Sequence, residues 1–523
     1  MSRMIQTTIS EKVYRFLAAA FAVFLLGFLV CKPAIIPALW PGNEESGQVY
    51  RLLLIWLAVA SLYSFLLSRL EHRCSVAAFS FVLFLLCALP RLAVLQFHYY
   101  IPTNDFANYL LYGQCFVQGD YAPAADLIAN YYQMPKMGGI VVFNGLLMLL
   151  FGDTLLGMQI ANIALTGGIC VILYHLIRPI HGQAAWITAL LWMLYPSNII
   201  STQIPTNHHG ATLFFLLGLL LYGSLLRQRQ WSRIVLLAAA TGICLAISNF
   251  IHPSVIVIQL SILCFTLLAV MQYACREKKL LGVPAQKLLV ACLLIFIIGA
   301  GCQQVGLQQL QQHQVITDRQ EISVLFKLVL GFNQDSNGSF SEIDYNQIRQ
   351  LPQEQQAEAC LTLLQQRLQD PLSAVLFMLQ KTDTAWFQRD GYFYWYREGA
   401  LLEYSQQEQN GTLTEEQKQQ YWQAMDWIQG AQTLDIIFVR VVYWLAVIGL
   451  LWGSFFKGDI ENVLFFVPLG WIAVIMLTEM QSRYRYPAMP AFFLLAALGV
   501  CTVWRWSRKK RPRHGKVEKR LVK

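Results

Sequence analysis

Apolar residues along this 523-residue chain gather in runs of about twenty, the length a helix needs to cross a hydrocarbon core roughly 30 Å thick. The runs lie near 13–31, 49–68, 75–95, 154–177, 183–201, 209–226, 233–251, 254–273, 284–304, 436–456, 461–478 and 487–505. One more, GGIVVFNGLLMLLFG at 138–152, would cover only roughly 22 Å as a helix, too little to cross. Between about 306 and 435 the runs stop, and a glutamine-rich pattern such as QEQQAEACLTLLQQRLQ (353–369) suggests short amphipathic helices. The pattern predicts an all-α polytopic membrane protein of about 12 transmembrane helices with a mainly helical outer-face domain.

Composition fits that class: 56% apolar residues, 13% charged residues and a mean hydropathy of +0.45 lie outside the range of a soluble domain. The first run follows Lys12 and Arg15, has no small-residue cleavage site and is succeeded by many others, so it reads as a spanning helix and not a signal peptide. Net charge is +9, and ten basic residues lie between Arg505 and Lys523. That excess reports orientation; no basic and aromatic face suited to nucleic acid accompanies it. If 138–152 does not cross, RLEHR (69–73), RPIHG (178–182), RQRQWSR (227–233), REKK (276–279) and the tail all share the N-terminal side, as the positive-inside bias requires. Both termini are then inside, and 138–152 lies in the outer interface. The expected location is a bacterial plasma membrane. The chain divides into three N-terminal spans (1–95), an outer loop (96–153), a six-helix core (154–305), the outer domain (306–435), three C-terminal spans (436–505) and a basic tail (506–523). The scattered cysteines read as small core residues, with Cys115 and Cys360 the one candidate pair for a disulfide.

Candidate chemistry gathers on the outer side. In FHYYIPTNDFANYLLYGQCFVQGDYAPAADLIANYYQMPKMGG (97–139), Asp105 follows a proline-bounded turn and precedes a helical pattern. Asn104 or Asp105 can cap that helix, and a carboxylate there can also serve as general base or metal ligand. Asp120 and Asp126 are nearby acids suited to turns or to a second ligand position. TEMQSRYRYPAMP (478–490) carries Arg483 and Arg485. Such arginines can snorkel to headgroups with Tyr484 and Tyr486 as anchors, or their forked guanidinium can hold a phosphate. His208 and His209 in QIPTNHHGA, and His252 in NFIHP, read as polar helix-end residues facing a wet cavity. The aromatic segment TAWFQRDGYFYWYRE (384–398) reads as the place where the outer domain rests on the bilayer.

The order of Asp105, then YYQMPKMGG before a short apolar helix and LLMLLFGDTLLGMQIANI, and finally SRYRYPAMPAFFLLAALG, resembles the GT-C glycosyltransferases of the family 39 type. These include protein O-mannosyltransferases and the lipid A aminoarabinose transferase. The resemblance covers about 90–260 and 475–500. It implies a sugar donor carried on a polyprenyl phosphate, inversion at the anomeric carbon, Asp105 in the catalytic position, and Lys136, Arg483 and Arg485 on the donor phosphate. Two departures stand out: Asn104–Asp105 where relatives have Asp-Glu, and TNHHG where some have an acid. A divalent metal would then rest on Asp105 with His208 or His209 in place of a second carboxylate.

The expectation is a membrane enzyme that transfers a sugar from a polyprenyl-phosphate donor to a glycan, lipid or protein acceptor. His208, His209, His252 and Tyr484 are its candidate acceptor or cavity residues, and membrane lipids its surroundings. Two other classes fit parts of the pattern. A twelve-helix transporter would place its ionisable groups nearer mid-membrane, and a glycan ligase or polymerase would use a diphosphate-linked donor.

Overall fold

The computed structural model describes residues 9–31, 44–96, 100–253, 255–274, 284–317, 321–388, 390–452 and 460–509. The basic segment 276–279 and the tail beyond 509 lie outside them. In chain order the helices are α1 (Ile9–Cys31), α2 (Glu44–Leu70), α3 (Val76–Leu95), α4 (Asp105–Gln118), α5 (Ala122–Asp126), α6 (Gly138–Phe151), α7 (Leu155–Ile177), α8 (Gly182–Met193), α9 (Pro196–Ser201), α10 (His208–Leu225), α11 (Trp231–Ile251), α12 (Ile256–Ala274) and α13 (Ala285–Gln312). Then come α14 (Leu325–Gly331), α15 (Glu342–Arg349), α16 (Gln353–Arg367), α17 (Pro371–Phe387), α18 (Gly391–Gln409), α19 (Glu415–Trp452), α20 (Ile460–Leu477) and α21 (Met489–Lys509). A π-helical turn, Leu127–Tyr132, and two 3₁₀ segments, Pro135–Met137 and Ser482–Ala488, complete the set. No strand occurs among the described residues.

This is an integral, multi-pass, all-helical protein. Ten helices among the described residues are long and apolar enough to cross a membrane. Two of the twelve expected runs stand outside these ten: the run at 254–273, which forms the apolar helix α12, and the run at 183–201, which breaks between α8 and α9. The break follows from Pro196, which has no N–H to donate and disfavours a helical residue before it. Several of the groups the break exposes find partners. Arg91, buried in α3, donates to the carbonyls of Met193 (3.3 Å) and Trp192 (3.4 Å) at the end of α8, while Trp56 donates to Leu194 (3.0 Å). On the other side Ser197 N–H donates to Asp435 (3.0 Å). A cation thus meets a helix C-terminus and an anion a helix N-terminus, both complementary to the peptide dipoles.

Small residues set the closest approach in the bundle. α19 and α21 cross where Gly449 faces Leu495 and Gly499 faces Leu445, each glycine against the other helix's backbone. Such contacts, packing backbone on backbone, are how helices associate where lipid supplies no hydrophobic drive.

The region between α13 and α19 is a helical layer joined tightly to the bundle. α17 runs into it: Phe387 stacks on Phe28 of α1 (5.0 Å) and meets Tyr443 of α19 (5.2 Å), and Trp386 packs on Phe492 of α21 (5.5 Å). The aromatic segment 384–398 is therefore not a bilayer rest. Trp386, Phe387, Tyr392, Phe393 and Tyr396 are all buried inside the protein. Cys115 and Cys360 are free thiols in separate hydrophobic clusters, so the candidate disulfide is not formed.

Gly449→Ala places a methyl group against the Leu495 carbonyl with no flexible side chain to yield. A lower melting temperature of the purified protein in detergent is expected, with Gly27→Ala, where nothing lies within 4 Å, as the unaffected control.

Candidate functional site

One end of the bundle gathers the start of α4, the loop before α10, the end of α11 and the 3₁₀ segment Ser482–Ala488. They enclose a cavity of about 60 Å³ lined by Asp105, Phe106, Tyr109, Thr206, Asn207, His208, His252, Arg483 and Tyr484. The volume is enough for several waters.

Asp105 is the first residue of α4, after Asn104, whose positive φ of 50° turns the chain and whose side chain makes no cap. The Asp105 carboxylate is instead spent on the site. One oxygen accepts from Arg483 Nη2 at 2.8 Å, a contact spanning 378 positions of sequence, and the other accepts from the Tyr132 hydroxyl at 2.9 Å. Asn108 Nδ2 donates to that same hydroxyl at 2.8 Å. Tyr132 ends the π-helical turn, an irregularity common at functional sites. Burial first, and the Asp105 charge second, push its phenol above the ordinary tyrosine range, so it stays a donor.

Arg483 is buried, with its guanidinium carbon 4.8 Å from the Phe106 ring centre, 5.8 Å from Trp395 and 5.7 Å from Tyr484. Aromatic faces on several sides hold the cation by its charge without using its hydrogens. Its Nε has no hydrogen-bond partner in the structure. A buried donor left unmade costs roughly 1–3 kcal/mol, so this group is poised for an acceptor that enters the cavity.

Arg485, two residues on, goes elsewhere. A 3₁₀ helix has three residues per turn, so positions i and i+2 point about 120° apart. Arg485 lies fully buried, Nε on Asp390 (3.1 Å), Nη2 on Asp435 (2.9 Å) and Nη1 on the carbonyls of Trp386 (3.2 Å) and Gln388 (3.1 Å). It is not among the cavity's lining residues, and its hydrogens are committed to protein groups. Lys136 is also apart from the cavity, half-exposed and paired with Glu321 at 3.4 Å.

The histidines divide in the same way. His208 lines the cavity, its Nδ1 bonded to the Tyr392 hydroxyl and its Nε2 3.1 Å from His252 Nε2. Asp390 fixes Tyr392 by capping α18 through the Tyr392 N–H (2.8 Å). His209 is fully buried outside the cavity, donating from Nε2 to the Ser201 carbonyl (3.2 Å) with Nδ1 against the Tyr486 hydroxyl (2.6 Å). It locks the start of α10 in place and does not face the wet space expected of it. His252 lies just past the end of α11, where burial, then the Arg483 and Lys327 charges, lower its pKa to about 3.

Other participants escaped the sequence reading. Glu479 pairs with Lys327 of α14 and lies within 3.5 Å of the Tyr484 hydroxyl. Glu479 stood in the same thirteen-residue stretch as Arg483, whereas nothing local marks Lys327. Among the described residues no three His, Cys, Asp or Glu side chains gather as a metal-ligand set. Asp105, the candidate ligand, has a guanidinium where a metal cation would sit, so these residues do not fit a resident divalent ion.

Residues 155–504 match the family described as conserved hypothetical integral membrane protein, and the chain belongs to that family. No curated protein matches it. Among solved structures it is similar to the archaeal oligosaccharyltransferase AglB from Archaeoglobus fulgidus in complex with an inhibitory peptide and a dolichol-phosphate. There the identity is 13%, the TM-score 0.42, and the match covers 85% of this chain and 53% of that one. A second similar structure is the Archaeoglobus fulgidus oligosaccharyltransferase tethered to an acceptor peptide containing the NVT sequon, at 12% identity and a TM-score of 0.28, covering 83% and 57%. The chain spans little more than half the length of either.

Arg485→Met leaves Asp390 and Asp435 buried without their cation, and a loss of about 3–5 kcal/mol is expected from breaking one side of such a pair. Chemical denaturation in mixed micelles reads it. For His252, the folded pKa of about 3 lies below the ordinary 6.5. Between those values the unfolded chain binds a proton that the folded one does not, so stability falls as pH drops from 6.5 toward 3. His252→Asn should flatten the acid side of the melting-temperature profile; an unchanged slope contradicts the assignment.

Proposed function

We propose that this member of the family is a membrane glycosyltransferase that moves a sugar from a polyprenyl-phosphate donor to an acceptor hydroxyl at the outer face of the membrane. The observation that supports it is the contact between Asp105 and Arg483 in a polar cavity at one end of a membrane bundle. Orientation rests on the basic loops, which share the face opposite this one when the short run at 138–152 does not cross.

The reaction makes two demands on the protein. An acceptor oxygen attacks the anomeric carbon and gives up its proton, while the bond from that carbon to the phosphate oxygen breaks and leaves a lipid phosphate of growing charge. Asp105 accepts the proton, a service usually worth roughly 100- to 10,000-fold. Arg483 takes the developing phosphate charge. Its unpartnered Nε and its forked geometry suit a phosphate, and a buried, aromatic-walled setting makes the attraction stronger than in bulk water. The resting contact keeps the two groups aligned, and an arriving phosphate competes with Asp105 for the guanidinium, freeing one carboxylate oxygen for the acceptor. Tyr132 then holds the other oxygen and fixes the orientation of the base.

His208 and His252 line the wall near Arg483, hydrogen-bonded to each other, and shape the space left for the sugar or acceptor. Arg485 has a positioning role through the 3₁₀ segment. Lys136, held by Glu321, is a surface cation on the 3₁₀ segment Pro135–Met137.

The test is a transfer assay with purified protein in lipid nanodiscs and a panel of polyprenyl-phosphate sugars. Asp105→Asn removes the base and keeps one acceptor, the amide oxygen, for Arg483 while its NH2 faces the Tyr132 hydroxyl, which can accept; kcat is expected to fall by about 100- to 10,000-fold with the fold intact. Arg483→Gln is expected to cost a further class of activity, about 100- to 1,000-fold in kcat, through lost charge stabilisation. Full turnover by Asp105→Asn, or substrate uptake into sealed vesicles without transfer, removes the assignment.

A further inference from the structure

The feature outside the cavity that most asks for a partner is the outward face of α17. Leu372, Val375, Leu376 and Leu379 recur at the i, i+3, i+4, i+7 spacing of one helical face and are 37–69% exposed. The opposite face, with Ala374, Phe377 and Ala385, is buried in the protein. The two charged side chains of this helix, Lys381 and Asp383, are buried as well, so no charge reaches the outside along its length. Its neighbour α16 supplies a contrast within the same layer: there the outward positions are Glu354, Gln355, Glu358, Leu361, Gln365 and Gln366, a mainly polar, solvated face with one leucine.

Gln380 is the one polar residue exposed beside these four aliphatic side chains, and a helix face this apolar lies against protein or lipid. We infer that the outward face of α17 is bedded in the boundary between headgroups and acyl chains, so that the layer between α13 and α19 is partly inserted in the bilayer. Continuity with the membrane spans commits it to lipid. The C-terminal end of α17 stacks Phe387 on Phe28, inside the span Lys12–Val30. One turn and a half earlier, Lys381 donates to the carbonyl of Thr478 (2.8 Å), the residue after the span Ile460–Leu477 ends. Leu379 and Leu372 follow beyond that level, about 3 Å and about 14 Å farther along the axis if α17 stands upright and less if it tilts. Tilting of α17 toward the bilayer surface brings these positions to the boundary between headgroups and acyl chains, into which an interfacial helix buries its apolar face by roughly 5–10 Å.

The arrangement has a consequence for the site. The carbonyls of Trp386 and Gln388, at the inner end of α17, hold Arg485, and Arg485 anchors the 3₁₀ segment that carries Arg483. A helix bedded in the bilayer surface therefore fixes the height of the cavity relative to the headgroups.

The test uses the full chain in nanodiscs of phosphatidylcholine and phosphatidylglycerol, with an environment-sensitive fluorescent amino acid at Leu376, at Leu372, or at Gln365 on α16. Lipids brominated near the top of the acyl chains are expected to quench most of the emission at position 376 and part of it at 372, with little effect at 365. Aqueous iodide is expected to give the reverse order. Iodide quenching at 376 and 372 as strong as at 365 overturns the inference. Protection from both quenchers in discs that hold two copies also overturns it, assigning the face to a second copy of the chain. Monodisperse elution and an unchanged melting temperature establish that each labelled protein is folded, and the two positions on α17 serve as replicates if one label perturbs packing.

Discussion

The structure turns on a buried guanidinium. Arg485 lies between the carboxylates of Asp390 and Asp435 and takes up two carbonyls at the end of α17, so the end of α17, the start of α18 and α19 meet the 3₁₀ segment at one planar group. Placing three charges out of water is costly, and hydrophobic residues of the same volume would often be as stable. What the charges supply is position. Asp390 also caps α18, and Asp435 also binds the first free N–H of α9, so the ion cluster aligns two helix N-termini with the 3₁₀ segment. Shifting that segment by even one residue would strand a charge in a dry interior, an error that packing alone would tolerate.

From that fixed point the geometry of the site follows. The 3₁₀ turn sends one arginine into the core and the other, Arg483, into the cavity, where three aromatic rings hold it and one nitrogen stays unpaired. The first turn of α4 brings Asp105 to it from the other side. Its Asn104 entry turn and the π-helical turn bearing Tyr132 are both irregular backbone, which fits the general tendency for departures from regular structure to collect where function needs a particular atom in place. Under the proposed reaction, the acid and the cation are a matched pair whose separation accompanies donor binding.

Much of this was legible in the sequence. Runs of twenty apolar residues gave the spans, because lipid leaves a chain few other options. Asp105 and Arg483 stood out as charges beside apolar helices and do meet. Arg485 looked equivalent to Arg483 because linear spacing does not tell a strand, a helix and a 3₁₀ turn apart; only the last sends the two side chains 120° from each other. His209 and the aromatic stretch 384–398 were misplaced for a related reason. Polar and aromatic residues near helix ends are equally at home in water, at the bilayer surface or in a satisfied core, and here the Tyr486 hydroxyl and the Arg485 cluster drew them inward. Lys327 was invisible, since its partner Glu479 lies 152 positions away. The break at Pro196 was readable from the proline itself, but its repair by Arg91 and Asp435 required the fold.

The measurement closest to the central claim is a structure determined by electron cryomicroscopy of the protein in nanodiscs with a polyprenyl phosphate added. The account predicts phosphate density in the cavity within hydrogen-bonding distance of Arg483, with the Asp105 carboxylate released from the guanidinium and still held by Tyr132. Lipid phosphate bound elsewhere on the protein, with the Asp105–Arg483 contact unchanged and the cavity filled only by water, would contradict it.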